Sequence, residues 1–316
     1  MVSIVTPSYN KGSFIEETIL SVKNQTYPHI EHIVVDGGST DETLDILRKC
    51  NDSLIWISEP DEGQSDAINK GWRMSRGEIL AYLNADDTYM PWAVQTAVEF
   101  LAENPDVAMV YGDCNIIDEH GQVIGQYPTK EFELRQILCG FCIVPQPSVF
   151  LRRAVLDKVG YVNTDLYAAM DLDLWIRIGL QFKIRYVPRV LASFRRYPGT
   201  KSVSEIPRFS EERFAILDKI FSNLELPKEI RSLRNRAYSY AHCEMGVGYY
   251  MQRQMKKARL HLIRSIMLSP RHLKEPVVAM ISAESCFGKT AITVASRWKS
   301  RFKARFGKED ARLRRR

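Results

Sequence analysis

Residues 1–111 alternate short apolar runs with helix-patterned segments, and this alternation limits what the chain can fold into more than any other feature. The apolar runs fall at 2–5, 31–35, 54–58, 79–83 and 107–111, and the helical patterns at 13–25, 40–49, 64–75 and 91–103. Repeated strand–helix–strand units require right-handed crossovers and a mostly parallel sheet with helices on both faces, an α/β fold. Ser13 with Glu16 and Ser39 with Glu42 have the spacing of capping boxes, and Pro91 suits the first turn of the fourth helix.

Open parallel sheets bind ligands beyond the carboxyl ends of their strands. At those ends the sequence places Thr6-Pro7-Ser8-Tyr9-Asn10, Asp36-Gly37-Gly38-Ser39-Thr40-Asp41, Glu59-Pro60-Asp61 and Asn84-Ala85-Asp86-Asp87. Consecutive strand ends thus carry polar or acidic residues, with glycines that let a ligand approach the backbone. Turn acids alone occur in any sheet; a run of them at one edge predicts a site.

Residues 112–200 read as mixed, with a hairpin around Asp118-Glu119-His120-Gly121, a Pro-rich loop, a strand at 148–151 and a helix from about Asp171. From about 205 the pattern is helical. Gly246, Tyr249, Ala258, Leu262, Ser265 and Pro270 have the spacing of one tetratricopeptide unit, with His242 at the usual tryptophan position. Independent solenoids need roughly three such repeats, so a single helical hairpin is expected. The lone CxxC of Cys139 and Cys142, without a second pair, reads as packing rather than zinc or redox chemistry. Scattered cysteines and the lack of a signal-like start fit a reducing cytoplasm.

The net charge of +6 is concentrated in residues 297–316, which hold ten Lys/Arg and two acids; the rest of the chain carries −2. This excludes a nucleic-acid surface spread over the fold. Trp298, Phe302 and Phe306, each one step after Arg297, Arg301 and Arg305, form an aromatic stripe on a basic helix. Such a helix lies on an anionic membrane surface or docks on the body with a solvated basic face. No run has the roughly 20 apolar residues of a spanning helix.

The opening, VSIVTPSYNKGSFIEETILSVKNQTYPHIEHIVVDGGSTDET, resembles that of family 2 glycosyltransferases, and the resemblance continues through SEPDEGQSDAINKG, YLNADD, QPSVFLRR and MDLDLWIRIG. It covers residues 1–200 in order and implies the Rossmann-like GT-A fold. The implied organisation is a catalytic domain over 1–204, its nucleotide-binding half at 1–111 and acceptor half at 112–204. A helical extension with one tetratricopeptide-like hairpin follows at 205–296, then the basic amphipathic tail at 297–316.

The resemblance also assigns roles. Asn84-Ala85-Asp86 occupies the place of the family's DxD motif, so Asp86 is the expected ligand of Mg²⁺ or Mn²⁺ on the donor diphosphate. That chemistry suits a hard oxygen ligand and a Lewis acid at the leaving group. Asn84 stands where the family approaches the ribose, and Asp87 caps the next turn or orients Asp86. Asp36 stands where the family contacts the base, which favours UDP or dTDP over GDP; an Asx-turn closing DGGS is its structural alternative. Thr6, Pro7 and Tyr9 line the same wall, and Asp61 the next strand end. Asp171 is the expected catalytic base, sharing a helix face with Leu174, Trp175 and Ile178; a helix N-cap is the alternative for it or for Asp173, which also has Arg177 within ion-pair reach. Gln146 falls in the acceptor pocket or in a rigid turn.

Several positions depart from the family. Ile68 replaces a frequent arginine, leaving Lys70 as a phosphate contact; Met170 replaces the first acid of a pair. Many relatives carry a histidine near Tyr197 that completes the metal shell; its absence from the segment 195–199 leaves Arg195, Arg196 or Lys201 to clamp the diphosphate. The Q-x-x-R-W signature of processive relatives is absent. The implied protein is a non-processive inverting glycosyltransferase, cytoplasmic or peripheral on the inner face of the membrane. Its acceptor is a saccharide or lipid-linked hydroxyl of surface polysaccharide or glycolipid assembly. A degenerate nucleotide-sugar or membrane-binding module of the same fold is the alternative. A sugar nucleotidyltransferase lacks support, since Thr6 to Gly12 is no glycine-rich basic loop, and a dinucleotide enzyme would need GxGxxG.

Overall fold

A computed structural model describes residues 1–51, 53–201 and 206–270. Strand β1 (Val2–Ser8) is buried along its whole length, as a strand covered by helices on both faces must be. It pairs in parallel with β2 (Ile30–Asp36) on one side and β4 (Ile79–Tyr82) on the other, and β2 pairs in parallel with β3 (Ile55–Ser58). The register opposes Ser8 to Asp36, Asp36 to Ser58, and Val5 to Tyr82, so all four carboxyl ends emerge at one edge.

Helices α1 (Gly12–Lys23), α2 (Thr43–Lys49) and α3 (Gln64–Met74) make the crossovers. Ile15, Ile19 and Leu47 pack with Val34 on one face. On the other, α3 approaches so closely that a Cβ on Gly71 would lie 2.4 Å from Val5 Cγ1. Alternation along β2 puts Val34 and Val35 on opposite faces, and Val35 is the one near Gly71.

Beyond β4 the sheet becomes mixed. The remaining elements are β5 (Thr88–Tyr89), α4 (Ala93–Glu103), β6 (Val107–Ile117), β7 (Val123–Gln126), α5 (Leu134–Cys139), β8 (Val149–Arg152), α6 (Arg153–Val159), α7 (Met170–Gly179) and β9 (Lys183–Arg195). The order is β3-β2-β1-β4-β8-β6-β9-β5, with β7 paired to β6. Strand β8 runs antiparallel to both neighbours, and β9 parallel to β6. The fold is the expected α/β sheet flanked by helices, its parallel half in the first 82 residues.

The helix starts differ from those expected. Neither Ser13 nor Ser39 caps a helix: α1 begins after Lys11 and α2 after Glu42, both without a side-chain cap of their own. Pro91 precedes the α4 N-cap, Trp92, rather than entering the first turn. Asp41 does the capping for α1, accepting the Gly12 N–H at 3.0 Å, and a Cβ on Gly12 would collide with Glu42 Cγ at 2.4 Å.

The chain divides into two compact units, Met1–Glu212 and one beginning at Arg213, within helix α8 (Ile206–Phe221). After α9 (Lys228–Arg231), the second unit contains the helical hairpin of α10 (Arg234–Met251) and α11 (Met255–Leu268). Ser239 and Ser265 exchange hydroxyl-to-carbonyl bonds of 2.6 and 2.7 Å across it. Gly246 lies against Leu262, where an added Cβ would come within 2.8 Å. The aromatic basic stripe from Arg297 to Phe306 lies outside the described residues.

Candidate functional site

The turn after β1 and the turn after β2 are tied together by their own side chains. Asn10 adopts a left-handed backbone (φ 50°), its N–H donates to Ser39 Oγ at 2.7 Å, and its Oδ1 accepts the Thr40 N–H at 2.8 Å. Asp36 is fully buried and forms the Asx-turn: its carboxylate accepts the Gly38 and Ser39 N–H groups and the Ser39 and Ser58 hydroxyls. The Asx-turn is thus formed, with three donors on Oδ2 and the Ser39 hydroxyl on Oδ1. Asp61 lies over that turn, within 2.7 Å of where a Cβ on Gly37 would sit, and accepts the Gly63 N–H. Thr6 is buried beneath the wall, bonded to His32 Nε2 at 2.9 Å, and Pro7 is buried as well, so neither lines it; Tyr9 stands exposed beside them.

Because β1 and β4 are parallel neighbours, the turn carrying Lys11 meets the turn carrying Asp86. Lys11 Nζ donates to Asp86 Oδ2 at 2.7 Å and to Tyr197 Oη at 2.6 Å, and Tyr197 donates to the same carboxylate oxygen at 3.0 Å. Burial works to lower the Lys11 pKa, but the Asp86 charge and the two hydrogen bonds outweigh it and hold the ammonium above its ordinary value. Burial, with the neighbouring Asp86, holds the Tyr197 phenol above its own. The phenol is neutral at physiological pH.

Asp87 points the other way. It is fully buried, Oδ1 accepting the Arg195 N–H at 2.9 Å and Oδ2 the Asn84 amide at 3.1 Å. Burial first, then the Asp86 charge, push it well above the usual carboxylate range. Asn84 is an amide for a visible reason: it also donates to Gln146 at 3.0 Å and accepts from Gln64 at 2.6 Å. A carboxylate there would lose both donations and set a second negative charge against Asp87. Gln146 in turn donates to the Tyr82 carbonyl at 2.7 Å, and Lys201 reaches Gln64 at 2.9 Å.

Asp171 occupies the first turn of α7, half-buried, with the Leu172 N–H on Oδ1 at 2.7 Å. It is not the N-cap, and neither is Asp173; Ala169 is. The N–H groups of Tyr167, Ala168 and Ala169 are taken by the Glu212 carboxylate at 2.8–2.9 Å. Asp173 is buried and forms the ion pair with Arg177, at 2.8 Å, in the interior. The buried Tyr82 hydroxyl is pushed up by burial, then by the charges of Asp171 and Asp87.

Three expected phosphate contacts are engaged or exposed elsewhere. Arg195 is 1% exposed, its guanidinium bonded to the carbonyls of Asp86, Asp118 and Glu119 and to Glu17, above the Phe14 ring. It braces the acidic turn from behind rather than clamping a ligand. Lys70 pairs with Glu59 at 2.7 Å, and Arg196 is exposed, its N–H on the Ile117 carbonyl. The structure therefore brings together Asn84, Asp86, Asp87, Gln146 and Tyr197, whereas Thr6 is buried against His32 and Lys70 pairs with Glu59. Lys11, Gln64 and Glu212 were not expected. Only the position of Lys11, directly after a strand end, marks it in the sequence.

In backbone the chain is similar to S. aureus TarS 1–349 in complex with UDP-GlcNAc, with a TM-score of 0.65 at 20% identity, covering 95% of this chain and 91% of that one. It is also similar to the mannosyltransferase PcManGT from Pyrobaculum calidifontis in complex with GDP-Man and Mn²⁺, at TM-score 0.60 and 19% identity, covering 93% and 83%. These likenesses show the fold, which is GT-A. Residues 3–160 match glycosyl transferase family 2. An uncharacterized glycosyltransferase of Mycobacterium tuberculosis is 33% identical over 197 residues, 61% of this chain and 74% of the relative. A PGL/p-HBAD biosynthesis glycosyltransferase of Mycobacterium bovis is 29% identical over 206 residues, 63% and 78% of the two chains. The chain belongs to glycosyl transferase family 2.

Proposed function

We propose that this glycosyltransferase moves a sugar from a nucleoside-diphosphate sugar to an acceptor hydroxyl in a single inverting displacement, with Asp171 as the base. The observation that carries the reading is the polar cluster at the carboxyl end of β4, where the Asn84–Asp87 turn is hydrogen-bonded to Gln146, Lys11 and Tyr197; the role of Asp171 rests on the family resemblance. Asp171 takes the acceptor proton, the hydroxyl oxygen bonds to the anomeric carbon, and the bond to the diphosphate breaks with its electron pair leaving on phosphate oxygen. The neighbours in complex with UDP-GlcNAc and GDP-Man support the donor class. Asp36 as the base contact favours UDP or dTDP, and GDP belongs in the same panel because guanine also offers N–H donors.

A divalent ion is the family expectation at Asp86, and one neighbour of the same fold is in complex with Mn²⁺. The groups present here do not suit a resident dication. Mg²⁺ takes about six oxygen ligands, most of them hard donors, whereas Asp86 shares one oxygen with an ammonium and a neutral phenol. Asp87 is turned inward, so it adds no second carboxylate to an ion at Asp86.

The decisive experiment incubates the full chain with UDP-, dTDP- and GDP-sugars and saccharide or lipid-linked acceptors, with the product anomer assigned by NMR. Asp171→Asn is expected to bind nucleotide normally and to lose roughly a thousandfold in transfer. Retained transfer by that variant would remove Asp171 as base, and binding without transfer from any donor would favour the degenerate module. Among the described residues no helix is long and apolar enough to cross a membrane. A cytoplasmic protein held at the inner membrane face by residues 297–316 remains part of this proposal. Sedimentation with anionic vesicles, with and without charge reversal at Arg297, Arg301 and Arg305, tests it.

A further inference from the structure

Asp86 has a cation of its own. The Lys11 ammonium carries three N–H donors; Asp86 and Tyr197 accept two, which leaves one for a ligand oxygen. Its placement is built by the backbone: Asn10 turns left-handed, the Lys11 N–H is held by Thr43 Oγ1 at 3.0 Å, and α1 begins at the next residue. Tyr197 is fixed from the other side by Phe14, their ring centroids 5.1 Å apart. Lys11 and Asp86 are 26% and 13% exposed, so the pair is partly withdrawn from water yet open to a ligand. At this depth a point charge interacts with phosphate several times more strongly than in bulk solvent.

We propose that Lys11 is the cation that receives the donor's diphosphate, positioned by Asp86 and Tyr197, so that nucleotide binds this chain without a divalent ion. A divalent ion then competes with Lys11 for Asp86 instead of bridging Asp86 to phosphate. The inference rests on the nucleoside-diphosphate donor proposed above and says which group of the chain meets it. Tyr197 acts as a positioning residue, since it touches the ligand's cation rather than the ligand.

The test titrates UDP, dTDP and GDP into the full chain in EDTA and again in Mn²⁺, for the wild type, Lys11→Ala, Lys11→Arg and Tyr197→Phe. Circular dichroism melts confirm that each variant is folded. Wild-type affinity for the preferred nucleotide is expected to agree within about twofold in EDTA and Mn²⁺. Lys11→Ala should lose tenfold or more in EDTA and recover part of it in Mn²⁺, because Asp86 is then released. Lys11→Arg should retain metal-free binding, and Tyr197→Phe should weaken it less than Lys11→Ala does. A second readout needs no nucleotide: paramagnetic resonance of Mn²⁺ alone should show tighter binding to Lys11→Ala than to the wild type. Wild-type binding that collapses in EDTA, or equal Mn²⁺ affinity with and without Lys11, would overturn the inference and leave the donor reading standing. Failure of every nucleotide to bind every form would overturn both.

Discussion

Replacing Arg195 by methionine separates two readings of its buried guanidinium, a brace behind the acidic turn or a clamp on the donor phosphates. Methionine keeps much of the stem and removes the fork. The carbonyls of Asp86, Asp118 and Glu119 lose donors at 2.9, 3.0 and 3.3 Å, and Glu17 loses its ion-pair partner. Glu17 is 55% exposed and rehydrates, so its share is small. The carbonyls face a side chain only 1% exposed, and each hydrogen bond from a charged donor is worth about 1.5–3 kcal/mol. With some water entering the vacated space, the loss should total about 3–5 kcal/mol, the range for breaking a buried polar network. Urea unfolding of the full chain measures it, and Arg195→Lys should fall between the two. Nucleotide affinity should drop only modestly, through a less firmly held Asp86. Stability within about 0.5 kcal/mol of wild type together with a tenfold loss of nucleotide affinity would refute the brace and restore the clamp.

Asn84→Asp should destabilise the chain by about 2–4 kcal/mol, because the introduced carboxylate loses two donations and faces Asp87. Its pKa would be raised in the folded state, so the deficit should be larger at pH 8 than at pH 5; a pH-independent deficit would contradict this. Burial holds His32 at about 4, against about 6.5 when unfolded. The unfolded chain therefore binds more protons between those values, and stability should fall by about 3 kcal/mol as pH drops from 6.5 through 4. His32→Gln should flatten that acid limb, which unfolding curves at stepped pH would show. Gly246→Ala should cost about 1–3 kcal/mol despite the better helix former, since its Cβ would lie 2.8 Å from Leu262 Cγ. A double-mutant cycle with Leu262→Ala should show the Gly246→Ala cost shrinking once that side chain is cut back, which would verify the contact as the cause.

The parallel half of the sheet is legible because strands covered on both faces must be continuously apolar, and Val2–Ser8 and Ile30–Asp36 are buried almost throughout. The acidic strand ends are legible for the same reason, since polar residues can resume only where the sheet stops. The caps are not legible, because the groups that serve them come from other segments. Asp41 reaches Gly12 across 29 residues, and Glu212 reaches Ala169 across 43. Local spacing assigns those duties to Ser13, Ser39, Asp171 and Asp173, none of which is an N-cap. The antiparallel β8 is likewise hidden: a strand of four residues carries no mark of its direction.

The same distance rule explains why charges are harder to assign than acids at strand ends. A carboxylate at a strand end is placed by the strand itself, so Asp86 can be located from the run before it. A lysine or arginine reaches its partner through a long flexible stem, and which partner it finds depends on the topology. Arg195 ends β9 and turns in beneath Asp86, whereas Lys11 follows β1 and comes over it, because the sheet places β1 beside β4. The acidic turn is thus held between two cations with separate tasks. The buried one bonds main-chain carbonyls and fixes where the turn lies. The half-exposed one bonds the carboxylate and meets whatever anion arrives, so the site's chemistry depends on a lysine that no acidic motif identifies.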